Sequence, residues 1–132
     1  MGVLTQRVHD KLNASQWMLF RDLFVRVSEV ILGISPDSRG ELTGNYVKFT
    51  TGSDPMSPVY SVVCPKVSKP GRLIVGLALP QDFLAESLGP PPEPILYRGL
   101  TKFLVIEKGQ AIPEELLEWV KRAYEQTLLS EK

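Results

Sequence analysis

Residues 72–79 read R-L-I-V-G-L-A-L, and this stretch decides the fold class. Leu73, Val75, Leu77 and Leu79 hold every second position, which a strand places on one face. Arg72, Ile74, Gly76 and Ala78 hold the alternate positions. That second face is less polar than a fully wet one, so partial cover is expected there. Two similar runs lie upstream. Residues 58–64 read P-V-Y-S-V-V-C and residues 45–51 read N-Y-V-K-F-T-T, rich in the β-branched and aromatic residues that suit strands. The links G-S-D-P at 52–55 and K-P-G at 69–71 are short and turn-forming, which favours an antiparallel meander. A fourth strand follows at 101–106, T-K-F-L-V-I.

On both sides of this core the period changes to that of a helix. Trp17, Phe20, Phe24, Val27 and Ile31 recur at three- and four-residue steps, with Leu23 and Val30 widening the stripe. The spacing predicts a helix over residues 15–33, with Asn13 or Ser15 as N-cap and Gly33 as a left-handed stop before Pro36. Arg21, Asp22, Arg26 and Glu29 fall largely outside the stripe. A short helical pattern spans 81–88 and stops at Gly89. Pro90, Pro91, Pro92 and Pro94 then favour an extended segment. A last helix is predicted from Pro113 to Leu129, with Leu116, Leu117, Val120, Tyr124 and Leu128 inward and Glu118 spaced to pair with Arg122.

These elements predict an α+β two-layer sandwich: a mainly antiparallel sheet of about four strands, with the N- and C-terminal helices on one face. The far face is expected to be the open surface. Length agrees: 132 residues suit one domain spanning 1–132, with residues 1–14 as an N-terminal arm and 80–98 as a proline-rich crossing loop. Hydrophobic residues are 43% and charged residues 23%, enough for a core and unlike a disordered chain.

The charge is balanced, fifteen basic against fifteen acidic residues, which argues against a strongly basic nucleic-acid clamp. One cysteine, Cys64, rules out an internal disulfide framework, and with the single His9 it cannot build a usual zinc site. No run approaches the roughly 20 apolar residues of a membrane span, and residues 1–10 lack a continuous signal-peptide core. A cytoplasmic setting without membrane association is the expectation.

The sequence has no G-x-S-x-G, P-loop, G-x-G-x-x-G or H-E-x-x-H pattern. Cys64 reads as a structural thiol, His9 as an exposed residue, and Glu114 and Glu115 as complements to a helix start. No catalytic residue, metal ligand or cofactor is assigned. P-x-x-P at Pro91 and Pro94 reads as a rigid loop rather than a recognition motif. Basic residues carry more information. Lys48, Lys66, Lys69 and Arg72 oppose only Asp54 between Gly44 and Gln81, and Arg98 and Lys102 follow. With Tyr46, Tyr60 and Tyr97 near them in sequence, these six form a candidate anion- or nucleic-acid-binding set. Strand alternation sets Lys48 and Lys102 a test, since they must face the same way.

Three stretches carry a resemblance: G-R-L-I-V-G-L-A-L-P at 71–80, R-G-L-T-K-F-L-V-I at 98–106 and I-P-E-E-L-L-E-W-V-K-R-A-Y-E at 112–125. Together they resemble the uncharacterised bacterial YdhG-like domains. The resemblance implies a compact α+β fold similar to frataxin and the double-wing proteins. Relatives discussed as iron chaperones or DNA-binding proteins imply those two roles. Asp22 and Glu29 are offset here by Arg21 and Arg26, whereas an iron site wants clustered oxygen ligands. The expectation is therefore a binding or interaction domain whose surface is the open sheet face and the proline-rich loop. Its partner would be nucleic acid, protein or a small anionic ligand. The alternatives are a frataxin-like iron chaperone and a small enzyme with an unrecognised site.

Overall fold

The computed structural model describes residues 2–14, 16–43, 46–52, 54, 56–66, 72–80, 82–90, 100–107 and 110–130. The chain begins with β1 (Val3–Leu4), then α1 (Gln6–Ala14), a 3-10 helix (Gln16–Phe20) and α2 (Arg21–Leu32). Strands β2 (Arg39–Thr43), β3 (Tyr46–Thr50), β4 (Val59–Lys66), β5 (Arg72–Leu77) and β6 (Lys102–Glu107) follow, and α3 (Leu116–Ser130) closes the order. The six strands form one sheet in sequence order. β1 runs parallel to β2, and every other neighbouring pair is antiparallel. The α+β class expected from the sequence holds, but among the described residues the sheet has six strands, not about four.

The two added strands have physical reasons for being hidden. β1 is two residues long. It is held by backbone bonds from Val3 N–H to Ser38 O (3.2 Å) and Thr5 N–H to Gly40 O (2.9 Å). β2 reads R-G-E-L-T, with one large apolar residue; its pairing with β3, Gly40 opposite Phe49 and Leu42 opposite Val47, makes it a strand. Residues 1–14, read as an arm, hold β1 and α1. Val8 and Leu12, one turn apart, are both buried and seat α1 on the sheet.

The helix expected over 15–33 divides at Phe20 into the 3-10 helix and α2. Ser15 lies outside the described residues, Asn13 belongs to α1, and α2 has no side-chain cap. Gly33 is right-handed (φ −69°) and its N–H bonds to Glu29 O (3.0 Å), so it extends the helical turn and does not end it in the left-handed region. The short helix expected over 81–88 is replaced, across the described 82–88, by turns. Phe83 N–H reaches Pro80 O (3.0 Å) and Leu88 N–H reaches Ala85 O (3.1 Å). Helix α3 begins three residues after Pro113, and Glu118 pairs with Arg122 at 3.6 Å as spaced.

All three helices cover one face of the sheet. Val8, Leu12, Phe24, Val27, Ile31, Leu116, Trp119 and Val120 share one buried cluster with Val47, Phe49, Val63, Leu73, Val75, Leu77, Leu104 and Ile106. Full burial of such a side chain contributes about 1.5–3 kcal/mol before entropy is counted. A bulge refines this layer. Phe49 pairs with Ser61 and Thr50 with Val59, so β4 carries one extra residue, Tyr60. The Tyr60 ring meets Tyr124 of α3 edge-on (5.1 Å). Its hydroxyl donates to Ile31 O (3.1 Å) and accepts from the Ser38 hydroxyl. One side chain thus joins β4, the end of α2, the approach to β2, and α3.

Candidate functional site

The structure separates the six basic candidates. Alternation from Cys64, Ile74 and Phe103, which cluster on the far face, puts Lys48, Lys66 and Arg72 on that face as well. Lys66 lies directly opposite Arg72, and Arg72 directly opposite Glu107. Lys48 is opposite Glu41 on one side and Val62 on the other. Val62 and Lys66 are four residues apart on β4, about 13 Å at the usual rise. Lys102 alternates with Phe103 and belongs to the helix-covered face, opposite Leu77. Lys69 and Arg98 lie outside the described residues. Only Lys66 and Arg72 are brought together, and a carboxylate flanks them. Of the three tyrosines, Tyr46 packs on the far face, Tyr60 is buried under the helices, and Tyr97 lies outside the described residues.

Nor is the far face open at its centre. Val62, Cys64, Ile74 and Phe103 are buried, and Leu100 packs against this group. Gly89 exchanges two backbone bonds with Phe103 (3.0 and 2.9 Å), laying a further stretch of chain along the outer edge of β6. Gly76 makes the fit close. A Cβ there would stand 2.8 Å from Phe103 Cε2, 2.9 Å from Val62 Cγ2 and 3.2 Å from Leu100 Cδ1. The open recognition sheet expected from the sequence is thus corrected. Its centre is a second, smaller core, as the apolar alternate positions Ile74, Gly76 and Ala78 indicated.

An accessible surface with shape lies elsewhere, where α1, the 3-10 helix and α2 meet. With three residues per turn, a 3-10 helix aligns positions i and i+3. Trp17 and Phe20 therefore turn inward together (6% and 2% exposed), and Met18 and Leu19 turn outward together (57% and 58%). On α2 the inward face takes Leu23, Phe24, Val27 and Ile31, which leaves Arg21, Asp22 and Arg26 exposed. A groove of about 390 Å³ is lined by Asn13, Met18, Leu19, Arg21, Asp22, Leu23 and Arg26. A neighbouring hollow of about 550 Å³ shares Arg21, Asp22 and Arg26 and adds Val25.

The lining of the groove combines the polar Asn13, Arg21, Asp22 and Arg26 with the apolar Met18, Leu19 and Leu23. Arg26 Nε donates to Asp22 O (3.4 Å), and neither arginine forms an ion pair among the described residues. Asp22 stands in the first turn of α2, where the positive end of the helix favours a carboxylate. Behind the groove, Trp17 is packed against Phe24 (5.9 Å) and roofed by Lys11 Nζ (5.3 Å). The sequence carried a signal for this site: Met18 and Leu19 are adjacent apolar residues off the buried stripe.

Titratable chemistry is sparse. Burial pushes the Tyr60 phenol well above its ordinary range, and the Tyr124 phenol adds to the shift; the hydrogen bond from Ser38 opposes it. Cys64 is buried and His9 is exposed. Among the described residues, no three His, Cys, Asp or Glu side chains converge on a point that could hold a metal ion. No helix there is long and apolar enough to cross a membrane. In comparisons with known proteins, no family model, curated protein or solved structure matches the chain.

Proposed function

We propose that this protein is a binding or interaction domain and that it recognises a protein partner through the groove between the 3-10 helix and α2. The observation that carries this reading is the pairing of two large apolar side chains, each more than half exposed, with an adjoining groove lined by two arginines. Methionine and arginine are enriched at protein interfaces, methionine because its flexible thioether adapts to different partners. Contacts of this kind beside a shaped depression mark interaction sites more often than scattered surface apolar residues do. The rest of the fold supports the role of a rigid base. Trp17, Phe20 and Phe24 anchor the same helices in the core that present Met18, Leu19, Arg21 and Arg26 outward.

Selection of a random peptide display library on the folded full chain tests this reading. Enriched peptides are expected to shift the backbone amide signals of residues 13–26 and to lose binding to Met18→Asp. Failure to enrich any peptide over a blank surface, or shifts confined to the sheet or α3, would overturn it.

A further inference from the structure

We infer that the partner segment is acidic and apolar: a short stretch of protein that places aliphatic side chains on Met18 and Leu19 and carboxylates on Arg21 and Arg26. The inference rests on the interaction reading above and adds the chemistry of the partner. Charge complementarity is its basis. The groove holds two arginines against one aspartate, on a chain whose formal net charge is +0. That aspartate lies in the first turn of α2, and among the described residues it forms no ion pair with either guanidinium. The Nε of Arg26 is tied to the Asp22 carbonyl (3.4 Å), which steadies the side chain and leaves its terminal amino groups for a ligand. A guanidinium presents its N–H groups in a planar fork that matches a carboxylate bidentately.

The apolar part of the lining decides between a peptide and a nucleic acid. Sequence-tolerant strand binding relies on exposed aromatic faces for base stacking. No aromatic residue lines this groove, and the neighbouring Trp17 is 6% exposed, packed against Phe24 and under Lys11 Nζ. What the groove offers is aliphatic: Met18, Leu19 and Leu23. A leucine-bearing acidic segment complements both the apolar and the basic lining residues, whereas a phosphate backbone complements the arginines alone.

Fluorescence anisotropy on the full chain supplies the test. The probe is a labelled peptide of repeated Glu-Leu-Leu-Asp units, compared with its Gln-Leu-Leu-Asn counterpart, with polyglutamate and with single-stranded oligothymidylate. The acidic-apolar peptide is expected to bind, with affinity falling as salt rises. It should lose at least about tenfold in affinity, the equivalent of 1.4 kcal/mol, in Arg21→Glu/Arg26→Glu and again in Met18→Ser/Leu19→Ser. Lys121→Glu, on the exposed side of α3, is the remote charge control and should leave binding unchanged. All of these positions are exposed, and unaltered far-ultraviolet circular dichroism will show that each variant folds. Equal binding of the Gln-Leu-Leu-Asn peptide would overturn the acidic preference and leave the interaction site standing. Tighter binding of oligothymidylate with shifts in residues 13–26 would overturn it in favour of nucleic acid. Absence of binding by the acidic-apolar peptide at low salt would overturn it outright, and the library selection would then decide separately whether the groove binds peptides at all.

Discussion

The two faces of the sheet both bury apolar side chains, but by different means. On the helix-covered face, Val47, Val63, Val75 and Leu104 form a row that meets three helices. On the far face the matching row runs Lys48, Val62, Gly76, Phe103. It is completed by a close approach over a glycine and by Leu100, without a helix. The first face tolerates no large loss of volume, because many side chains share it. The second tolerates no gain of volume at its centre, because its fit depends on a missing Cβ. The lesson is that a strand face free of helices need not be a free surface. Among the described residues, Met18 and Leu19, exposed beside a groove, lie on the helical layer.

The largest expected effect tests the helix-covered side. Phe24→Ala removes a fully buried ring at the centre of the main cluster and should cost about 3–5 kcal/mol. Urea denaturation with unchanged m-value measures it. A midpoint equal to that of the unaltered protein would mean that α2 does not present this face to the sheet.

Next comes the centre of the far side. Gly76→Ala would put a methyl group 2.8 Å from Phe103 Cε2 and 2.9 Å from Val62 Cγ2. Overpacking of this kind should cost about 1–3 kcal/mol. Phe103→Leu in the same molecule removes the nearer clash and should recover part of the loss, so a double-mutant cycle sharpens the comparison. Additive losses would show that Gly76 and Phe103 do not share a tight contact.

Tyr60 sharpens the helix-covered side through pH. Tyr60→Phe deletes the donor to Ile31 O and the acceptor for Ser38, and should cost about 1–2 kcal/mol at neutral pH. In the unfolded chain a tyrosine ionises near pH about 10, whereas burial holds the native phenol neutral well beyond that. The native state therefore retains a proton that the unfolded state loses. This contribution is complete below about pH 10 and declines as pH rises toward the raised native value. Stability measured from pH 9 upward should fall less steeply in Tyr60→Phe than in the unaltered protein. Parallel slopes would show that Tyr60 ionises alike in both states.

What was legible in the sequence follows the strength of local patterning. β3, β4, β5 and β6 stood within about two residues of their expected ends, because each pairs β-branched or aromatic residues with clear turn signals. β1 and β2 owe their conformation to partners distant in the chain, and Arg39–Thr43 has no period of its own to read. The run 82–88 misled because Phe83, Leu84, Ala85 and Leu88 imitate a helical stripe; Leu84 is in fact 89% exposed. Phe83 instead lies under the Arg122 guanidinium at 5.7 Å. For the site, charge counting found basic residues near one another in sequence, but alternation sent Lys102 to the opposite face from Lys48. Met18 and Leu19 were visible only as a misfit to the helix stripe, a pair that α-helical and 3-10 spacing alike turn outward.

The smallest expected effect lies on β6, where the two faces can be compared one residue apart. Leu104 is 4% exposed on the helix-covered side, and Val105 is 36% exposed on the far side. The edge around Val105 is closed at both ends. Phe103 is paired with Gly89, and the Glu107 N–H and carbonyl are both taken by Gln110, at 2.7 and 2.9 Å. Among the described residues this leaves one residue of unpaired edge, too little to template another strand, so a polar change at Val105 has neither a core nor an intermolecular pairing to disturb. Val105→Thr keeps the β-branched shape and should change stability by no more than about 0.5 kcal/mol, as surface substitutions do. Leu104→Ala, its neighbour, should cost about 2–5 kcal/mol. Urea midpoints of the two variants measure the contrast directly. A loss at Val105 comparable to that at Leu104 would mean that the far face is sealed out to its edge and that its cover extends beyond the Cys64, Ile74 and Phe103 cluster.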